Sequence, residues 1–232
     1  MMRIRHEVLP FIGIVAVVST CMGLLLEHML LSAFLFLLGT LYLLYFFRDP
    51  ERIPPPDPSG ILAGADGRVM SVTRHDERTY LHADSIRISI FLNVFNVHVN
   101  RSPMPGYAKF LGYFPGKKFF AFREKSSEHN QNNKILIEGT RTRCLVVQIV
   151  GPVARRVVYW LDLETPVPVK AGDRIGMMKF GSRMDIYLPV SDVDVVVTPG
   201  DKVRAGETVI ARTRPIRSDE QRMNSKMPRE GE

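Results

Sequence analysis

Hydrophobic positions are distributed along this chain in two different ways. Residues 8–47 form a nearly unbroken apolar stretch whose one formally charged side chain is Glu27. After residue 60, short apolar runs alternate with polar positions and are punctuated by glycine and proline. Within the first region, residues 8–26 and 29–47 are each 19 residues long and are separated by Glu27-His28. A helix needs roughly 20 apolar residues to cross a hydrocarbon core, so the pattern predicts a helical hairpin over residues 1–47. Arg3 and Arg5 precede it and Arg48 and Arg52 follow it. Basic flanks favour the cytoplasmic side, and an even number of crossings puts both ends there. The expected location is the cell membrane, with the rest of the chain on its cytoplasmic side. A cleaved signal peptide fits the basic start, but not an apolar region this long with no small-x-small site at its end. Shallow insertion is the competing geometry, because spanning requires Glu27 and His28 to reach the far interface.

Residues 48–60 contain Pro50, Pro54, Pro55, Pro56 and Pro58, which excludes a helix and predicts an extended linker. Beyond it, strand-like runs recur at 86–92, 134–137, 144–150, 157–161, 184–188 and 193–197, and no stretch keeps helical periodicity over three turns. The expected fold is mainly β, a small barrel or sandwich over residues 61–211. Residues 212–232 read as a charged, flexible tail. Val169-Lys170-Ala171-Gly172-Asp173 resembles Val197-Thr198-Pro199-Gly200-Asp201, and in each copy Gly-Asp suits a tight turn. Such turns are shared with biotinyl and lipoyl carrier barrels, so they specify architecture more than chemistry.

Composition narrows the function classes. The formal net charge is +7, with the basic residues dispersed. An anionic membrane surface uses such charge as readily as nucleic acid does, and no strand interleaves aromatic with basic residues, so a nucleic-acid partner is not expected. Cys21 and Cys144 lie in different regions, which predicts neither a disulfide framework nor a metal site.

Four segments could carry chemistry. Met178-Lys179-Phe180-Gly181-Ser182-Arg183 lies between the two turn motifs. It reads as a simple β-bend, as a carrier site at Lys179, or as a self-cleavage site at Gly181-Ser182. Ala65-Asp66-Gly67 reads plainly as a turn, and His98 in Phe95-Asn96-Val97-His98-Val99-Asn100-Arg101 reads plainly as structural. Val153-Ala154-Arg155-Arg156 reads as a solvated edge.

Taken together and in this order, the segments resemble phosphatidylserine decarboxylase in its short prokaryotic form. The resemblance runs from Phe47-Arg48-Asp49-Pro50 to about residue 211, and Ile175-Gly176-Met177-Met178-Lys179-Phe180-Gly181-Ser182-Arg183 is its most specific part. One departure is Asn130-Gln131-Asn132-Asn133, where the family commonly carries acidic and basic residues. The resemblance implies that the 232-residue chain is a precursor cut between Gly181 and Ser182. Ser182 then becomes a pyruvoyl group that forms a Schiff base with the substrate amine, with no metal and no pyridoxal phosphate. An electron sink of this kind is needed because no ordinary side chain accepts the electrons left by departing carbon dioxide. It further implies His98 as base and acid, and Asp66 as the group that orients it. The implied partners are phosphatidylserine, bilayer lipid and the other self-cleaved chain, with homo-oligomerisation left open. Arg183 and Arg101 are the candidates for the substrate phosphate. The alternative is a membrane-tethered carrier barrel modified on Lys179, without self-cleavage.

Overall fold

The computed structural model of the chain describes residues 2–116, 130–151, 157–179 and 181–215. The Val153-Ala154-Arg155-Arg156 segment, Phe180 and the tail from residue 216 lie outside the described residues.

β1 (Met2–Ile4) is followed by a 3-10 turn at His6–Val8 and by α1 (Leu9–Leu26); α2 (Met29–Phe46) then returns alongside. Both helices are long and apolar enough to cross a membrane. They approach closely at small residues: a Cβ added at Gly23 would lie 3.0 Å from Ser32, and one added at Gly39 would lie 3.1 Å from Val15. The Ser32 hydroxyl donates to the Ser19 carbonyl across the same seam. β2 (Arg48–Pro50) pairs antiparallel with β1, clasping the two ends of the hairpin together. The proline-rich segment thus begins as a strand.

The β domain follows. β3 (Gly60–Leu62), β4 (Gly67–Glu77), β5 (Ala83–Leu92), β6 (Val99–Arg101) and β7 (Gly106–Phe114) precede β8 (Asn132–Glu138) and β9 (Arg143–Ile149). β10 (Val158–Tyr159), β11 (Val167–Val169), β12 (Arg174–Met177), β13 (Ser182–Pro189), β14 (Val193–Val195), β15 (Lys202–Val203) and β16 (Val209–Thr213) complete it. One eight-stranded sheet runs β11-β7-β8-β9-β13-β5-β4-β15, and two three-stranded sheets run β10-β12-β6 and β14-β16-β3. The expectation of a mainly β domain behind a helical pair is borne out.

β13 is central, hydrogen-bonded to β5 on one side and β9 on the other. Alternation along it explains how both its faces are buried. Met184, Ile186 and Leu188 join the main core, while Tyr187 joins a second cluster with Leu145, Val147 and Ile149. The Gly-Asp turns are built alike. Asp173 Oδ2 accepts the Lys170 amide at 2.7 Å, and Asp201 Oδ2 accepts the Thr198 amide at 2.8 Å. Gly172 and Gly200 take φ of +84° and +103°, which is where glycine is needed.

The hairpin is docked on this domain. Val8, Leu43, Phe46 and Phe47 form a buried cluster with Met177, and Phe11, Val158 and Trp160 pack against it. Asp49, fully buried, accepts hydrogen bonds from Arg174 at 2.7 Å and Arg101 at 3.3 Å, and it pairs with Arg5 at 3.6 Å. These three arginines tie strand β2 and the hairpin's entry to the β domain.

Candidate active site

The site is built where β12 turns into β13. The amide of Met178 donates to the His98 carbonyl at 3.2 Å, extending the β12–β6 ladder by one step and fixing the approach to Ser182. Gly181 then takes φ of +65°, and an added Cβ there would meet nothing within 4 Å. The left-handed backbone, rather than crowding, is what favours glycine at this position. Ser182 opens β13 opposite Leu92 and is fully buried, with its hydroxyl donating only a long 3.3 Å hydrogen bond to the Lys179 carbonyl.

His98 is also fully buried. Its Nδ1 lies 2.9 Å from the Asn96 carbonyl. A carbonyl can only accept, so Nδ1 carries the proton and Nε2 is left as the basic nitrogen. Nε2 has no hydrogen-bond partner among the described residues. The Phe46 ring packs against the imidazole, with ring centroids 4.2 Å apart. Burial pushes the His98 pKa down to about 4; the Arg48 charge adds to this, and the Asn96 hydrogen bond partly opposes it. His98 is therefore neutral at rest near pH 7, with Nε2 unprotonated.

Asp66 and His98 are not hydrogen-bonded to each other. Asp66 Oδ2 accepts from Arg52 at 2.9 Å and Oδ1 accepts from the Ala205 amide at 2.8 Å, while Arg52 also reaches Glu207 at 2.8 Å. Burial raises the Asp66 pKa against the pull of Arg52 and the Ala205 amide. The neighbouring Gly67 is required by close approach, since an added Cβ would lie 2.1 Å from the Phe91 carbonyl oxygen of β5. The tautomer-fixing contact expected of Asp66 is made by the Asn96 carbonyl instead.

The two arginines expected at a phosphate are committed elsewhere. Arg183 is buried and forked onto Asp185, at 2.6 and 3.1 Å, with Ser89 at 2.8 Å. Arg101 is buried against the Gly172 and Pro50 carbonyls, each at 2.8 Å, as well as Asp49. Lys179, half-buried, lies with Nζ 5.3 Å from the Phe11 ring centroid of α1 rather than on a free hairpin tip. Asn130 and Asn132 are buried in backbone-capping bonds to the Val150 and Asn130 carbonyls, both at 2.9 Å.

Sequence reasoning passed over four residues. Phe46 carried no signal within an apolar run. Asn96 acts through its backbone, although Asn93 and Asn96 bracketing a short turn do mark an Asx-type bend. Asn100 and Gln148 are both buried, two positions from His98 and opposite Met184 respectively. They are joined by a 2.7 Å hydrogen bond, with Asn100 Nδ2 and Gln148 Oε1 unpaired among the described residues.

A buried serine behind a left-handed glycine, and a buried histidine with one unpaired nitrogen packed against Phe46 of the hairpin, are the candidate reactive groups of this mainly β chain. Comparison with known proteins gives the family. Residues 40–211 match the family model for phosphatidylserine decarboxylase. The chain is 41% identical over 210 residues to a phosphatidylserine decarboxylase proenzyme of Desulfotalea psychrophila, covering 90% of this chain and 96% of that protein. Proteins of the same name from Salinibacter ruber and Prosthecochloris aestuarii are 46% and 44% identical, covering 75% and 76% of this chain and 77% and 79% of their own lengths. The chain belongs to the phosphatidylserine decarboxylase family and is a decarboxylase. Family membership removes the carrier alternative at Lys179.

Proposed function

We propose that the chain is a precursor that cuts itself between Gly181 and Ser182, converts Ser182 to a pyruvoyl group, and with it decarboxylates phosphatidylserine to phosphatidylethanolamine at the cytoplasmic face of the cell membrane. The observation that carries this reading is the junction itself: a left-handed glycine opening onto a buried serine whose hydroxyl is only weakly held.

Attack of Ser182 Oγ on the Gly181 carbonyl closes a five-membered ring, and collapse of that adduct breaks the C–N bond and leaves an ester. Glycine keeps the carbonyl uncrowded. His98 Nε2, neutral and unpaired, takes the hydroxyl proton. Removal of the Ser182 Cα proton then expels the Gly181 carboxylate, and hydrolysis of the resulting dehydroalanine releases ammonia. These residues fit the group, because the position that must become a ketone is buried and has an open glycine before it. A pyruvoyl group there supplies the sink for the electron pair left when carbon dioxide departs. His98, neutral at rest, would first have to take a proton on Nε2 from water, and could then pass it to the substrate carbon in place of the departed carbon dioxide.

After the cut, the 182–232 chain retains β13 through β16, with β13 paired on both edges by strands of the larger chain. Arg3, Arg5, Arg48 and Arg52 all flank the domain end of the hairpin, which supports the cytoplasmic assignment.

Intact mass under denaturing conditions tests the proposal. Two chains, residues 1–181 and 182–232, are expected, the smaller without a free amino terminus and reactive toward a carbonyl reagent such as phenylhydrazine. Ser182→Ala should give one full-length chain. An uncut wild-type chain with decarboxylase activity would sink the proposal.

A further inference from the structure

The turn between β5 and β6 carries an apolar tip that the mechanism does not use. Val94 and Phe95 are both exposed, Phe95 at 63%. The turn is internally braced rather than loose. Asn96 Oδ1 accepts the Asn93 amide and Asn93 Oδ1 accepts the Phe95 amide, each at 2.9 Å, and the Asn93 carbonyl accepts the Asn96 amide at 3.1 Å.

Its carbonyls point to two partners. The Phe95 carbonyl accepts from Arg48 at 2.8 Å and from the Tyr45 hydroxyl at 3.1 Å, which ties the tip to the last turn of α2. The next carbonyl, that of Asn96, holds His98. Phe95 therefore sits at the level of Tyr45 and Arg48, where the apolar helix gives way to charge. The Arg48 guanidinium stacks 3.8 Å from the Tyr45 ring centroid. Tyrosine beside arginine at the end of an apolar helix is the composition of a membrane–water interface.

We propose that Val94 and Phe95 are a second membrane contact, a wedge that enters the lipid interface beside α2 and fixes the height of the head-group layer relative to His98. The occupant is lipid because the tip continues the exposed apolar surface of the hairpin, which includes Leu38, Leu41 and Tyr45 on α2. The same turn that meets the bilayer fixes the imidazole, so contact with lipid and orientation of the base are separated by one peptide unit. This inference rests on the membrane reading of the hairpin given above.

The chain's own cysteines separate the two. Cys21 is exposed on α1 and Cys144 is buried, so an NBD fluorophore on the native chain labels Cys21 and reports on the hairpin. In Cys21→Ser/Phe95→Cys the fluorophore moves to the tip. In nanodiscs of phosphatidylethanolamine and phosphatidylglycerol, shallow nitroxide-labelled lipids should quench both probes. Quenching at Cys21 without quenching at position 95 overturns the wedge alone, whereas no quenching at Cys21 overturns the hairpin reading and the wedge with it. In a second measurement, Phe95→Ser should lower the ratio of turnover on vesicle-borne phosphatidylserine to turnover on a dispersed short-chain analogue by about tenfold, the scale expected for losing one interfacial aromatic. An unchanged ratio overturns the proposal.

Discussion

Replacing Phe46 with alanine tests whether the hairpin sets the chemistry of His98. In the wild-type chain the imidazole is walled by Phe46 and its pKa lies at about 4 instead of 6.5. At pH 5 a site of pKa 4 is about nine-tenths neutral, whereas one restored to 6.5 is about 3% neutral, a ratio of roughly 30. Phe46→Ala, by admitting water, should thus slow self-cleavage up to about 30-fold at pH 5 and little at pH 7.5, where both forms are mostly neutral. The chain would be synthesised cell-free into nanodiscs, shifted to each pH, and the loss of full-length product followed on denaturing gels. The rate at pH 7.5 serves as the folding control, since a Phe→Ala change in a buried cluster costs about 3–5 kcal/mol. The same shift has a stability counterpart. The folded pKa is depressed, so the His98 contribution is complete above pH 6.5 and is lost as pH falls toward 4, at most about 3 kcal/mol. A wild-type rate that falls with a midpoint near 6.5, or superimposable profiles for the two chains, would refute the reasoning.

Three further perturbations follow from contacts described above. Gly181→Ala meets no steric obstacle but makes the left-handed conformation costlier by about 1–2 kcal/mol, so cleavage should slow roughly 5- to 30-fold on the same gels; a wild-type rate would show that the left-handed junction is not the reactive one. Asp49→Ala leaves Arg101 and Arg174 without their buried carboxylate and should destabilise the hairpin–domain junction by about 3–5 kcal/mol, read as a lowered Tm in detergent and faster hydrogen exchange at β1 and β2. Asp66→Asn keeps an acceptor for the Ala205 amide but loses the charge facing Arg52, costing about 1.5–3 kcal/mol by denaturant titration. Nitrogen NMR of His98 should still report the proton on Nδ1, and a tautomer change would restore an orienting role to Asp66.

Much of this organisation is legible in the sequence, and the failures have identifiable causes. All six apolar runs predicted as strands overlap strands, because each is a short run rich in β-branched and aromatic residues. β4 and β7 escape notice because each contains a register irregularity, between Val69 and Ser71 and between Phe110 and Gly112. A bulge inverts the alternation midway and erases the period-two signal. Arg183 is expected at the substrate phosphate, yet Arg-x-Asp on a strand places both side chains on one face, and here they satisfy each other inside the protein. The Asn96 carbonyl was out of reach for a different reason: backbone acceptors carry no residue signature. Phe46 was out of reach because its role exists only once the hairpin docks.

That docking changes what the apolar leader is for. An anchor that merely tethered the domain could join it through a free linker, but here β2 follows α2 directly and Asp49 is gripped by Arg101 and Arg174. The last turn of α2 supplies Phe46 to the imidazole, and its Tyr45, with Arg48, holds the turn whose next carbonyl fixes the Nδ1 proton. Removing residues 1–47 would therefore both hydrate His98 and loosen its tautomer, even with the β domain's own core cluster intact. The cut proposed at 181–182 would leave these contacts in place, because Ser182 is the first residue of β13, a strand held by β5 and β9. On the proposed reading, precursor and two-chain product would share one framework, with Phe46 of the apolar hairpin against the imidazole in both.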